Sequence, residues 1–209
     1  MKTLLLTGFE PFDHDVVNPS WEAVRLLEGV ELSDDVRIVA RRLPCAFATA
    51  AETLLQLIEE LQPAMVIATG LGPGRSDISI ERVAINVNDA RIPDNLGAQP
   101  IDTAVVEGGP AAYFSTLPIK SMVSAVREAG IAASVSQTAG TFVCNQVFYR
   151  LQHALAGSAV RSGFIHVPGL PQFGQPSMEL PVLVEGLRLA VLAAWQTQAD
   201  IVETGGRVS

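Results

Sequence analysis

Short apolar runs of strand length alternate along this chain with segments whose apolar residues recur at helical spacing. That alternation limits the fold more than any other feature. Residues 2–7, 36–43, 64–69, 133–136 and 163–167 are apolar or β-branched runs. Between them, residues 46–61 place Phe47, Leu54, Leu57, Ile58 and Leu61 on one helical face, and Pro63 ends the segment. Ser20 is placed to cap a helix from Trp21 to about Leu27. Pro118 opens a helix that runs to Ala129, with Gly130 placed to end it. From Val143 the apolar positions Cys144, Val147, Phe148, Leu151 and Leu155 follow a helical period, and residues 180 to about 199 form a long last helix. Strands alternating with helices predict an α/β fold: a twisted, mostly parallel (mixed) sheet covered on both faces, with right-handed crossovers.

The connecting segments are less regular. Ile78, Ile80, Val83, Ile85 and Val87 alternate and predict strand structure over 78–87, with Glu81 interrupting the apolar pattern. Residues 90–110 carry Pro93, Pro100 and Pro110 and read as a long irregular loop, of the kind that is more often functional than not. Residues 70–77 read as a glycine-rich loop after a strand. The loop lacks the Lys-Ser/Thr ending of a phosphate-binding P-loop and does not fit dinucleotide spacing, so a tight turn is its simpler reading.

Composition narrows the function classes. The 209 residues suit one domain over 1–209, and 48% hydrophobic against 17% charged residues is a globular balance, not a disordered one. The net charge is −8 and no Lys/Arg cluster could track a phosphate backbone, which argues against nucleic acid as a partner. The opening Met1 to Leu6 run is too short for a signal peptide, and no segment approaches the roughly 20 apolar residues of a membrane span. Two cysteines, Cys45 and Cys144, are too few for a disulfide scaffold and their spacing fits no zinc motif; a reducing cytoplasm is the simplest home.

Chemistry concentrates at residues 136–145. A β-branched run gives way to small polar residues, Gly140 allows a turn, and Cys144 falls in the first turn of the predicted helix. Unpaired N–H groups and the helix dipole favour negative charge there, which predicts a lowered thiol pKa and a nucleophile. Equally, Cys144 lies on the apolar face of its own helix, where a buried structural thiol would sit. A nucleophilic thiol needs a base, and a group to orient that base. His153 is nine residues on, roughly 13 Å along the axis and on the opposite face, so it cannot serve. His14 lies between Asp13 and Asp15 in an early loop. His166 ends the 163–167 strand, where ligand sites of α/β sheets gather, though a core histidine bonded to a carbonyl would look the same. Glu81, Asp89 and Asp94 compete as the orienting group.

These residues also carry a resemblance. The chain resembles the type I pyroglutamyl peptidases (pyrrolidone-carboxylate peptidases). The similar stretches are 7–12 with 18–20, 81–86 with 90–95, 109–113 with 115–118, 139–145 and 164–168, in the family's order and spanning most of the chain up to Pro171. The resemblance implies a Cys144–His166–Glu81 triad and a three-layer α/β/α fold related to nucleoside phosphorylases. It also implies a homotetramer, and no metal or cofactor. It further implies a slot for the flat, uncharged lactam built by Phe9, Phe12, Leu71, Phe142 and Val143, with Arg91 shaping the region around the oxyanion. The chain departs from the pattern at Leu71, Pro73-Gly74, Gln146 and Phe12-Asp13-His14, changes that bear on substrate positioning more than on chemistry. Release of an N-terminal pyroglutamyl residue through a thioester is the implied activity. A phosphorolytic transferase using the Gly70 loop, and a non-catalytic binder of pyroglutamyl peptides, are the alternatives.

Overall fold

The computed structural model describes residues 1–13 and 15–206; His14 lies outside the described residues. The chain runs β1 Lys2–Phe9, α1 Pro19–Arg25, β2 Glu31–Ser33, β3 Val36–Leu43, α2 Ala50–Leu61, β4 Met65–Leu71, β5 Ile78–Glu81 and β6 Val83–Ile85. It continues β7 Ala112–Phe114, α3 Ile119–Glu128, β8 Ala133–Ser136, α4 Val143–Ala154, β9 Arg161–Val167 and α5 Leu180–Gln196. Seven strands make one sheet in the order β2-β3-β1-β4-β9-β5-β8. β3, β1, β4 and β9 are mutually parallel. β5 turns against β9 while staying parallel to β8, and β2 is antiparallel to β3.

The strands are apolar on both sides because both sides are covered. Leu4, Leu6, Ile38, Met65, Ile67, Ile165 and Val167 meet the apolar faces of α1, α3 and α5. The alternate residues Leu5, Phe9, Val66, Ala68 and Phe164 meet α2 and α4. Among the described residues no helix is long and apolar enough to cross a membrane.

Local chemistry moves several expected boundaries. Asn18, not Ser20, caps α1: its Oδ1 accepts from Ser20 N at 3.0 Å and from Ser20 Oγ at 2.8 Å. Ser20 Oγ in turn accepts from Phe9 N at 3.0 Å, which fastens the end of β1 to the helix. α2 starts at Ala50 rather than 46, because Thr49 N and Ala50 N both bond Ala46 O in a preceding turn. The 78–87 alternation is two strands in two sheets. Arg82 is the break: its N–H donates to Ser136 O, and its carbonyl accepts from Ser115 N. β6 then pairs with β7 in a separate two-stranded antiparallel sheet. Residues 90–110 are irregular as expected, and side chains hold them. Asn86 Oδ1 accepts from Val106 N at 2.9 Å, and Asp94 accepts from the amides of Phe47, Leu96 and Ala98.

Candidate active site

Cys144 sits in the first turn of α4, half-buried, after a loop in which Gly140 has φ +76°. No side chain caps this helix, so the first N–H groups point out without an intrahelical partner. Asn145, fully buried, donates to Ile85 O and Val87 O and accepts from Ile85 N, which pins the turn to the β6 segment. Gln146 donates to Phe47 O at 2.7 Å.

Under the thiol lies β4. Gly70 was expected to open a turn; it is instead the next-to-last residue of β4, on the face that meets α4. A Cβ at this position would stand 2.7 Å from Cys144 Sγ and 3.0 Å from Phe164 Cζ. The missing side chain is therefore the space the thiol occupies. Gly70 pairs in register with His166 on β9, so strand pairing places His166 next to the glycine over which the thiol sits, and both residues line one cavity.

Glu81 approaches from the other neighbour. Ser79 of β5 is opposite His166, so Glu81 is its diagonal neighbour on the same sheet face. Its Oε1 lies 2.7 Å from His166 Nδ1, and the carboxylate is fully buried. This bond places the ring proton on Nδ1 and leaves Nε2 with its lone pair. Glu81 is fully buried, and its strand β5 has β9 on one side and β8 on the other, so the carboxylate faces the interior. Glu81 Oε1 also meets Arg75 Nη1 at 2.9 Å, and Arg75 Nη2 donates to Thr138 O at 3.0 Å.

Burial sets the resting charge. Loss of water pushes the His166 pKa below the usual imidazole value, ahead of the opposite pull of Glu81; Arg75 lowers it further. The thiol departs from expectation. Burial raises the Cys144 pKa, with Cys45 and Glu81 adding to the rise, against smaller opposing effects of Arg75 and the thiol's own backbone. Both shifts favour the neutral thiol and the neutral imidazole, because the helix start does not outweigh the lost hydration.

Cys144 and His166 open on a cavity of about 360 Å³. Phe9, Phe12, Leu71, Arg91 and Phe142 all line it. Phe142 is held edge-on by Phe47 at 5.2 Å between centroids and faces Phe12 at 6.2 Å. Val143 does not line it: the side chain is fully buried in the core beneath α4, since the helix turn that exposes Cys144 points its neighbour inward. Cys45 also borders the cavity, buried, with its thiol pushed up to about 12 by desolvation and by Glu10 and Asp94. Asp89 lies exposed at the cavity wall, while Asp94 is occupied with backbone amides of the 90–110 loop. His153 is exposed in the last turn of α4, its Nδ1 2.8 Å from Tyr113 Oη. Among the described residues no group of three or more His, Cys, Asp or Glu is placed to hold a metal ion.

Sequence reasoning missed Gly70, Asn145 and Arg75. Only Arg75 left a signal: a cation inside a glycine-rich loop with no phosphate signature.

A thiol at a helix start, an imidazole at a strand end and a carboxylate behind it are the side-chain set of the thiol hydrolases, here on an α/β/α sandwich. The chain belongs to the pyroglutamyl peptidase family, whose model matches residues 1–197. It is 76% identical to a pyrrolidone-carboxylate peptidase of Pseudomonas fluorescens, over the full length of both chains. It is 59% identical to that of Cupriavidus necator, again over both full lengths. Among solved structures it is similar to pyroglutamyl peptidase I of Bacillus amyloliquefaciens, with a TM-score of 0.93 and 44% identity, covering 98% of this chain and 99% of that one. The pyrrolidone carboxyl peptidase of Thermococcus litoralis gives a TM-score of 0.89 and 38% identity over 94% of each chain.

Proposed function

We infer that this protein is a cysteine exopeptidase that removes an N-terminal pyroglutamyl residue from peptides. The observation that carries the reading is the shared cavity. The Cys144 thiol and the unprotonated Nε2 of His166 face a space walled by Phe9, Phe12, Leu71 and Phe142. A small, flat, uncharged lactam fits such a space, whereas a free N-terminal ammonium would be buried there without a partner.

In the proposed mechanism Cys144 is the nucleophile, His166 the base and Glu81 the orienting carboxylate. From the neutral pair that burial favours, the thiol proton passes to Nε2 as Sγ bonds to the carbonyl carbon. The negative oxygen turns toward the free N–H groups at the start of α4, and Glu81 stabilises the imidazolium. The C–N bond breaks as Nε2 returns its proton to the leaving amine. Water then adds to the thioester, giving a proton to Nε2. Sγ leaves and regains that proton, and pyroglutamate is released. Arg91, exposed at the cavity wall, is assigned to shaping the mouth. Assembly as a homotetramer is part of the same reading and is checked by light scattering. Two unpaired thiols suit the cytoplasm.

The deciding assay is release of a fluorescent amine from its pyroglutamyl amide, with and without prior alkylation by iodoacetamide and with and without phosphate. Thiol-dependent, phosphate-independent release is expected. Phosphate dependence would point to the transferase, and binding without turnover to the non-catalytic binder. The prolyl amide of the same amine should be at least a hundredfold poorer in kcat/KM, because groups that meet the lactam carbonyl would stay unpaired.

A further inference from the structure

Arg75 lies in the loop after β4, yet its side chain reaches two other segments. Nη1 meets Glu81 Oε1 at the end of β5, and Nη2 donates to Thr138 O in the loop that leads to Cys144. Gly72 makes that reach possible: a Cβ there would stand 2.6 Å from Arg75 Cδ. The guanidinium is half-buried and borders the cavity. Glu81 is fully buried and directs the same Oε1 at both Arg75 and His166, while its Oε2 has no hydrogen-bond partner. A buried carboxylate with the imidazole as its sole partner would be under-compensated and free to turn.

We propose that Arg75 is a positioning residue for the peptidase reaction, clamping Glu81 behind His166 and tying that pair to the loop that carries Cys144. The proposal rests on the pyroglutamyl peptidase reading. Its chemical content is charge balance. The groups that face His166 are Glu81 from β5, Arg75 from the 72–76 loop, Cys144 from α4 and Cys45 from the segment after β3, with Asp89 and Arg91 on the cavity wall. Glu81 favours the protonated ring and Arg75 disfavours it. Arg75 adds to burial in keeping the ring oriented by a carboxylate without being held protonated by it, which a base working near neutral pH requires. A guanidinium that only fastened loops through Thr138 would leave the ring's titration unchanged.

The experiment uses the full chain and the variants R75Q, R75K, E81Q and R75Q/E81Q. It reads kcat/KM against pH with a pyroglutamyl amide and, separately, the NMR titration midpoint of His166. In R75Q the acid limb moves to higher pH, so kcat/KM falls about threefold at pH 6 and less above pH 8. The His166 midpoint moves the same way. R75K keeps the charge while giving up one of two bonds, and stays within about threefold of the parent. In the E81Q background the R75Q change has little further effect. A loss that is uniform across pH with an unmoved midpoint overturns the proposal, as does an undiminished R75Q effect in E81Q. Should R75Q fail to fold, a pH-independent tenfold loss in R75K overturns it too. If the parent releases no amine, the peptidase reading fails, and the His166 midpoint still decides whether Arg75 acts on this ring.

Discussion

The two faces of the sheet are built from different materials. The face under α1, α3 and α5 is packed with Leu, Ile, Val, Ala and Met, and its cluster contains neither Phe nor Tyr. The face under α2 and α4 gathers six of the eight Phe and both Tyr. Aliphatic chains interdigitate and fill space closely, which suits a scaffold. Rings leave flat walls, and on the second face those walls continue from the core into the cavity: Phe148 packs at a tilt against Phe164, and Phe164 against Phe9 and His166. Strand alternation does the sorting. Gly70, Phe164, His166 and Glu81 fall on the aromatic face because their neighbours Thr69, Ile165 and Ile80 point the other way.

If that division of labour is right, the faces should fail differently. The largest effect is expected at the thiol. Cys144→Ala should lower pyroglutamyl-amide hydrolysis at least a thousandfold, with a melting temperature close to that of the parent. Retained turnover would remove Cys144 from the mechanism. Next come two glycines, one on each face. Gly70→Ala places a methyl against Sγ, and a displaced nucleophile should lower kcat/KM by about tenfold to a hundredfold. Gly186→Val on α5 drives its side chain into Ile78 and Ile131. It should lose about 1–3 kcal/mol of stability by overpacking, read as a lower melting temperature, while kcat/KM stays within about twofold. The reverse pattern would erase the distinction between the faces.

A smaller effect concerns pH. The buried imidazole has a lowered pKa, so the unfolded chain binds a proton that the native site resists. Stability from this group is present above the unfolded value near 6.5 and is lost as pH falls toward the lower native value. Thermal melts on a pH series from 8 to 5 should therefore decline, and His166→Phe should flatten part of that decline. The smallest difference lies between the two thiols. Cys144, half-buried beside a base, should alkylate faster than buried Cys45. Both rates should climb with pH, since burial raises both thiols. Equal rates would place the sulfurs in equivalent surroundings.

Much of this was legible in the sequence because it rests on short-range pattern. β3 and β8 have the expected bounds, and the other main strands and the helices fall close to theirs. Cys144 at a helix start and His166 at a strand end follow from periodicity alone. What stayed hidden depends on partners distant in sequence. The 78–87 alternation reads identically whether one sheet or two receives it, and only the Arg82 bonds to Ser136 and Ser115 divide it. β2 and β7 are three residues each, too short to register a period. Gly70 looked like a turn because a glycine gives the same local signal when its missing side chain is space for a residue 74 positions away. The thiol's raised pKa was invisible because desolvation is a property of the assembled cavity, not of a helix turn.

The position of β9 has a consequence for how the protein is made. Among the described residues the strand carrying His166 is the last to be synthesised, yet it lies between β4 and β5 inside the sheet. A growing chain that has just completed α4 already holds Glu81 and Cys144, but β4 and β5 still present open edges to each other across a gap one strand wide. Such edges are templates for wrong pairing until β9 emerges and fills the gap. Reactive chemistry and a finished sheet therefore arrive together: a nascent fragment that stops short of His166 lacks the imidazole, so this arrangement first exists when β9 enters the gap between β4 and β5.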